Sequence, residues 1–370
     1  LENEKNTVGN RIGSYVTNMD FSQGIKANLN APFRIIYSRE ARKKIRAVLD
    51  DFQPDVVHLN NIQYHLTPSI ILEINKWRKE TKKECKIVYT THDYQLVCPS
   101  HGMFDVDMKP CERCLDGHYI HCLQTKCLKN SRAKSLLGTL DGYMWKYSKA
   151  YSYVDAYICC SYFLKSKLDT QKRFRDKTIG LHNFKKEMPH LDNIQKKGYV
   201  LEFGHLSRDK GTDTLLEVAK KMPNTEFVFI GYGPSADKMK DIPNVKYLGF
   251  KTGEELYRII AEAAISVCPS EWYENCPYSV MESVLLGTPV VGSKMGGIPE
   301  LIEPGKTGEL FEAGNVEDLM KAIKKVLQTQ DVLERYTKNC SQVKYETTES
   351  YYIKLMKIYR GEKNVEQISS

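Results

Sequence analysis

Two glutamates eight residues apart, Glu274 and Glu282, lie in the run Pro269-Ser270-Glu271-Trp272-Tyr273-Glu274-Asn275-Cys276-Pro277-Tyr278-Ser279-Val280-Met281-Glu282. Pro277 has no N–H to satisfy and suits the first turn of a helix. Glu274 then belongs to the loop before that helix, with Glu282 inside it and roughly 80° further round the axis. Asn275, Cys276 and Pro277 form the entry to the helix and join the same candidate site. The layout sets two carboxylates beside free backbone N–H groups and the positive helix end. It suits a ligand with a phosphate flanked by hydroxyl-rich sugars. A solvated glutamate pair on an ordinary helix is the plain alternative.

The neighbouring turns bear on that choice. Gly204-His205-Leu206-Ser207-Arg208-Asp209-Lys210-Gly211 follows an apolar run and carries basic side chains, while Gly231-Tyr232-Gly233-Pro234 and Gly296-Gly297-Ile298-Pro299-Glu300 follow two others. Each alone reads as a tight turn. The elements that must position them alternate clearly. Strands are predicted at Tyr199–Phe203, Glu226–Ile230, Val245–Phe250, Ala264–Cys268 and Pro289–Gly292, and helices at Thr212–Lys221, Gly253–Ala263, Tyr278–Leu286 and Val316–Gln328, with Gly or Pro at nearly every junction. Such alternation predicts a parallel sheet covered by helices, with ligands at the carboxyl ends of the strands. All three turns and both glutamates then project to one edge.

In this order the motifs resemble the retaining glycosyltransferases of family 4, which have the GT-B fold of two Rossmann-like doubly wound α/β domains. The resemblance covers the second half and, more loosely, residues 50–180. It implies that Glu274 binds the donor-sugar hydroxyls, that Glu282 binds the nucleotide ribose, and that Lys210 holds the diphosphate as a point charge. Gly204, Gly231 and the backbone near Phe250 would line the nucleotide site. The family has Arg after the glycine of the first strand end; this chain has His205, which leaves Arg208 as the substitute phosphate ligand. The resemblance further implies a nucleotide-diphosphate sugar as donor, no catalytic metal, and a glycan or lipid-linked saccharide as acceptor in surface polysaccharide synthesis. It also implies an opening strand and Gly-rich turn that Leu1–Gly24 does not contain. The expectation is that residues 1–370 bind a nucleotide sugar but transfer it poorly. A degenerate donor-binding relative without transferase activity is the alternative.

The first half reads similarly but less cleanly: a basic amphipathic helix at Ser38–Asp50, strands at Asp55–Leu59, Lys86–Thr91 and Ala156–Cys160, and helices at Pro68–Lys79, Ser135–Ser148 and Phe163–Thr170. His58 and the Thr91-His92-Asp93 run end two of these strands, and His92 matches the family histidine that approaches donor sugar and acceptor. The expected division is an acceptor-side domain at 1–184, a donor-binding domain at 185–345, and a C-terminal helix within 346–370 packing back on the first domain.

Eleven cysteines without an export signal point to thiols or metal rather than disulfides. Cys111, Cys114, Cys122 and Cys127, with Cys98 to spare, suggest a structural zinc site in a Cys-rich inserted lobe at 98–130. Residues 1–180 carry 29 Lys+Arg against 19 Asp+Glu, whereas residues 181–370 carry 25 against 27. The basic half fits peripheral contact with a membrane, and the expected place is cytoplasmic, at its inner face. A zinc-stabilised nucleic-acid-binding protein would interleave Arg and aromatics on one face. Here the cations are mostly scattered Lys, so no nucleic-acid partner is expected. No apolar run spans a bilayer.

Overall fold

The computed structural model describes Val16 and residues 31–362. Within them, strands form two wholly parallel sheets. The first places β1 (Val56–Asn60), β2 (Lys86–Thr91), β3 (Ala156–Cys159) and β4 (Thr178–Gly180) side by side in chain order. The second contains β5 (Val200–His205), β6 (Phe227–Tyr232), β7 (Val245–Tyr247), β8 (Ile265–Cys268), β9 (Val290–Ser293) and β10 (Gly308–Phe311), in the spatial order β10-β9-β8-β5-β6-β7. Parallel neighbours need long crossovers. The helices Thr212–Lys221, Gly253–Glu262 and Tyr278–Leu285 supply three of them in the second sheet, and Val316–Val326 follows its last strand. Covered on both faces, β2 and β6 are buried for five successive residues each.

The order of the second sheet creates its binding crevice. The chain runs outward from β5 through β6 to β7, then restarts at β8 on the other side of β5 and runs outward to β10. Loops leaving β5 and β8 therefore diverge, which is the condition for a ligand crevice at the carboxyl ends. These two strands pair through Val200–Ile265 and Leu201–Ser266 and then splay apart.

Contacts tie the two halves together. One core cluster contains Cys160 and Leu164 from the first half and Val280, Met281 and Ile298 from the second. The helix Thr348–Arg360 returns to the first sheet, placing Ile358, Leu355 and Tyr351 against Val88, Ile158 and Ile179. Thr347 starts it with a reciprocal capping box to Ser350. No helix among the described residues is long and apolar enough to cross a membrane.

Two readings are altered. The strand expected at Val245–Phe250 stops at Tyr247, since Gly249 takes φ 69° and turns the chain. The Cys-rich stretch is not evident as a separate lobe. It is the opening part of the β2–β3 crossover, which continues through helices Ile120–Thr125 and Arg132–Tyr147, and Tyr119 within it is buried with its hydroxyl donating to the Leu96 carbonyl at 3.3 Å. The reading of Leu1–Gly24 falls, Val16 apart, outside the described residues.

Candidate functional site

The loop after β5 supplies Lys210. Ser207 starts a tight turn in which the Lys210 and Gly211 amides donate to the Ser207 and Arg208 carbonyls, at 3.1 and 2.9 Å. Gly211 takes φ 78°, and a Cβ there would lie 1.9 Å from the Pro269 carbonyl oxygen. A glycine is therefore required for the turn to seat against the end of β8. The Glu271 amide fastens it by donating to the Asp209 carbonyl at 2.9 Å.

Across this seam Lys210 Nζ donates to Glu274 Oε1 at 2.5 Å and stands 4.5 Å from the Trp272 ring centroid. Ser270 Oγ donates to the same carboxylate oxygen at 3.2 Å. The Gly296-Gly297 turn fixes the backbone of the loop. The Gly297 amide donates to the Glu274 carbonyl at 2.6 Å, and at Gly296, with φ 60°, a Cβ would lie 2.0 Å from that oxygen. Sequence distance hides this contact, but the glycines require it.

Glu282 projects from the helix Tyr278–Leu285, which Pro277 precedes in an extended conformation. Its carboxylate pairs with Lys185, whose ammonium also lies 5.4 Å from the Tyr278 ring centroid. Each glutamate of the pair thus has a lysine: one in the adjoining turn, the other from the segment joining the two sheets. Cys276 is buried against Met281, and burial pushes its thiol up to about 12, so it packs as a neutral side chain.

Asn275 reaches the first half, donating from Nδ2 to the His92 carbonyl at 2.8 Å. The His92 ring is exposed, with Nε2 3.0 Å from Asn60 Oδ1 at the end of β1. Partial burial lowers its pKa, against the opposing Asp93, so the ring is neutral near pH 7. His58 is a structural residue: its ring nitrogens lie 2.7 Å from the Tyr359 and Thr90 hydroxyl oxygens, clasping the C-terminal helix.

Gly204, exposed, and Gly231, buried, are the penultimate residues of β5 and β6. Beyond them His205, Tyr232 and Phe250 form a chain of edge contacts at 5.5 and 5.9 Å. Tyr232 is 63% and Phe250 65% exposed, so this rim offers ring faces to solvent. His205 belongs to the rim, and Arg208 is exposed in the Lys210 turn.

Sequence reasoning missed the polar floor of the crevice. Glu202 on β5 is 4% exposed and accepts from Thr212 Oγ1 at 2.7 Å. Among the described residues its other oxygen has no partner, and neither do the buried Ser207 Oγ, Trp272 Nε1 and Asn275 Oδ1. Four unpaired polar atoms around one crevice mark a place prepared for a polar ligand or water.

Cys122 and Cys127 bring their sulfurs to 2.8 Å and share a small cluster with Cys114, whose thiol is pushed up by burial first and then by the neighbouring Cys98, Cys127 and Cys111. Among the described residues no group of three or more His, Cys, Asp or Glu side chains is arranged to hold a metal ion. All eleven cysteines are free thiols.

Two parallel sheets with their crevice at the β5–β8 divergence define a two-domain α/β protein with a GT-B-like fold. Residues 183–343 match the family model described as Glycosyl transferases group 1. The chain is 33% identical over 146 residues to sulfoquinovosyl transferase SQD2 of Arabidopsis thaliana, covering 38% of this chain and 28% of that one. It is 30% identical over 166 residues to the amylovoran biosynthesis glycosyltransferase AmsK of Erwinia amylovora, covering 40% and 41%. The matched stretches therefore span less than half of these relatives. Among solved structures, Anabaena Alr3699/HepE in complex with UDP superposes with a TM-score of 0.62 at 15% identity, over 86% of this chain and 82% of that one.

Proposed function

We propose that the chain is a retaining glycosyltransferase that moves a sugar from a nucleotide-diphosphate sugar to a hydroxyl of a glycan or lipid-linked saccharide in surface polysaccharide synthesis. The observation that carries this reading is the Lys210–Glu274 pair at the β5–β8 divergence, with Glu282 on the helix that follows. The match of residues 183–343 to a glycosyltransferase family model supports it, as do the relatives' names and the UDP in the Anabaena structure.

In this reading the diphosphate takes Lys210 from Glu274, and the freed carboxylate accepts from the sugar hydroxyls. Glu282 accepts from the ribose, and the His205–Tyr232–Phe250 rim meets the base by stacking. An acceptor hydroxyl attacks the anomeric carbon from the face that the diphosphate leaves. Charge developing on the leaving oxygen is stabilised by Lys210 and by the amides that begin the helix Tyr278–Leu285. His92, neutral and at the mouth of the crevice, faces sugar and acceptor from the first half. We place the reaction in the cytoplasm, where eleven unpaired thiols stay reduced.

Calorimetry with UDP and GDP tests the assignment of the ribose ligand. Glu282→Ala should weaken binding of whichever diphosphate the parent takes by about 1.5–3 kcal/mol, the worth of a hydrogen bond to a charged group. Unchanged affinity would remove Glu282 from the nucleotide site.

A further inference from the structure

We propose that the outer face of the helix Arg132–Tyr147, with Ile120 beside it, docks on an anionic lipid bilayer. The inner face of this helix buries Ser135, Thr139 and Trp145. Its outer face carries Leu136, Leu140, Met144 and Tyr147 at four- and three-residue steps, which places them in one stripe. They are 45%, 51%, 36% and 73% exposed. Tyr143 stacks on Tyr147 at 5.9 Å and accepts from the Ile120 amide, which extends the stripe to the neighbouring short helix. An apolar stripe with tyrosine at one end matches a helix lying in a membrane interface.

Charge selects an anionic surface as the occupant. Residues 118–149 contain six Lys+Arg and one acid, Asp141. Burial pushes Asp141 up to about 7, so half or more of its charge is lost at and below neutral pH. Lys126, Lys129, Arg132, Lys134 and Lys149 form no ion pair among the described residues. The other basic helix of this half, Arg39–Phe52, differs: Arg42, Lys44 and Arg46 are paired to Glu73, Glu40, Asp50 and Glu80. Unpaired cations bordering an apolar stripe bind anionic lipid by both contributions together.

Earlier in the same crossover, Glu112 accepts from the Tyr273 hydroxyl at 3.1 Å and Phe104 lies 5.9 Å from Trp272, both partners being in the Glu274 loop. The inference rests on this face and not on the sugar chemistry. Vesicle binding and nucleotide binding are read separately, so either reading can fail alone.

The test is flotation of the full chain with vesicles of phosphatidylcholine alone or mixed equally with phosphatidylglycerol. Binding should require phosphatidylglycerol and weaken with added salt. Leu140→Glu/Tyr147→Glu, and separately Lys129→Gln/Arg132→Gln, should each lower the partition coefficient at least about tenfold while nucleotide affinity is unchanged. The second variant alters exposed side chains only, so it keeps the test open if the first misfolds. Equal flotation of variants and parent would overturn the proposal. So would loss of binding through Phe52→Glu instead, or a dimer in light scattering that dissociates on the Leu140/Tyr147 change.

Discussion

On β5 the Glu202 carboxyl is buried, and this desolvation pushes its pKa up to about 8 against the single hydrogen bond from Thr212. The folded protein therefore holds a proton there that the unfolded chain releases near the ordinary glutamate value. Between those two values the folded state binds more protons, so its stability falls as pH rises through the window. Glu202→Gln removes this dependence and keeps an oxygen to accept from Thr212. The melting temperature of the variant minus that of the parent should grow from pH 5 to pH 8, with an upper bound of about 1.4 kcal/mol per pH unit. A difference that stays constant over that range would show that Glu202 ionises freely. Its neighbours Glu274 and Lys210 are legible in the sequence because each lies in a compact motif. Glu202 is not: within Val200–His205 it is one acid in an apolar run, and nothing local says that its side chain lies under the Lys210 turn.

Among the elements, the helix Tyr162–Leu168 is started from two directions. Ser161 caps it locally, accepting from the Leu164 amide at 3.0 Å. Glu300, from the turn after β9, accepts from the Tyr162 and Phe163 amides at 2.8 and 2.6 Å and meets His182 Nε2 at 2.7 Å. A carboxylate at a helix start satisfies free N–H groups and opposes the positive helix end. Glu300→Ala should cost about 1–3 kcal/mol in urea unfolding, with Glu300→Gln costing less because one oxygen remains. An alanine variant as stable as the parent would make this contact incidental. Glu300 reads in the sequence as the end of a glycine-rich motif, and its partners lie 138 and 137 residues away. The elements that periodicity reveals, such as Thr212–Lys221 and Lys86–Thr91, form with those bounds. Those it does not reveal are short or polar. β4 has three residues, β10 has four, and the helix Gln330–Cys340 is built mainly of polar side chains. Tertiary pairing and packing establish them, not local pattern.

Over the whole molecule, the uneven charge of the sequence separates into two kinds of surface. In the second half the cations that matter are engaged at the crevice, Lys210 by Glu274 and Lys185 by Glu282. In the first half several stand without an ion pair among the described residues, around an apolar stripe. The two halves meet where Asn275 donates to the His92 carbonyl, beside the Lys210–Glu274 pair. Enclosing a ligand here brings both strand-end edges to it, which is how a crevice between two sheets orients a donor toward a second substrate. The central claim is that a diphosphate competes with Glu274 for Lys210, so that Glu274 is released toward a sugar. Calorimetry on the intact chain tests it, using the nucleotide sugar that stabilises the parent most in a thermal-shift panel, and its bare diphosphate. The parent should bind the nucleotide sugar more tightly. Glu274→Gln should abolish that preference and bind the bare diphosphate at least as tightly as the parent, because Lys210 is no longer held. A variant that keeps the parent's preference, or that loses affinity for the bare diphosphate, would contradict the account.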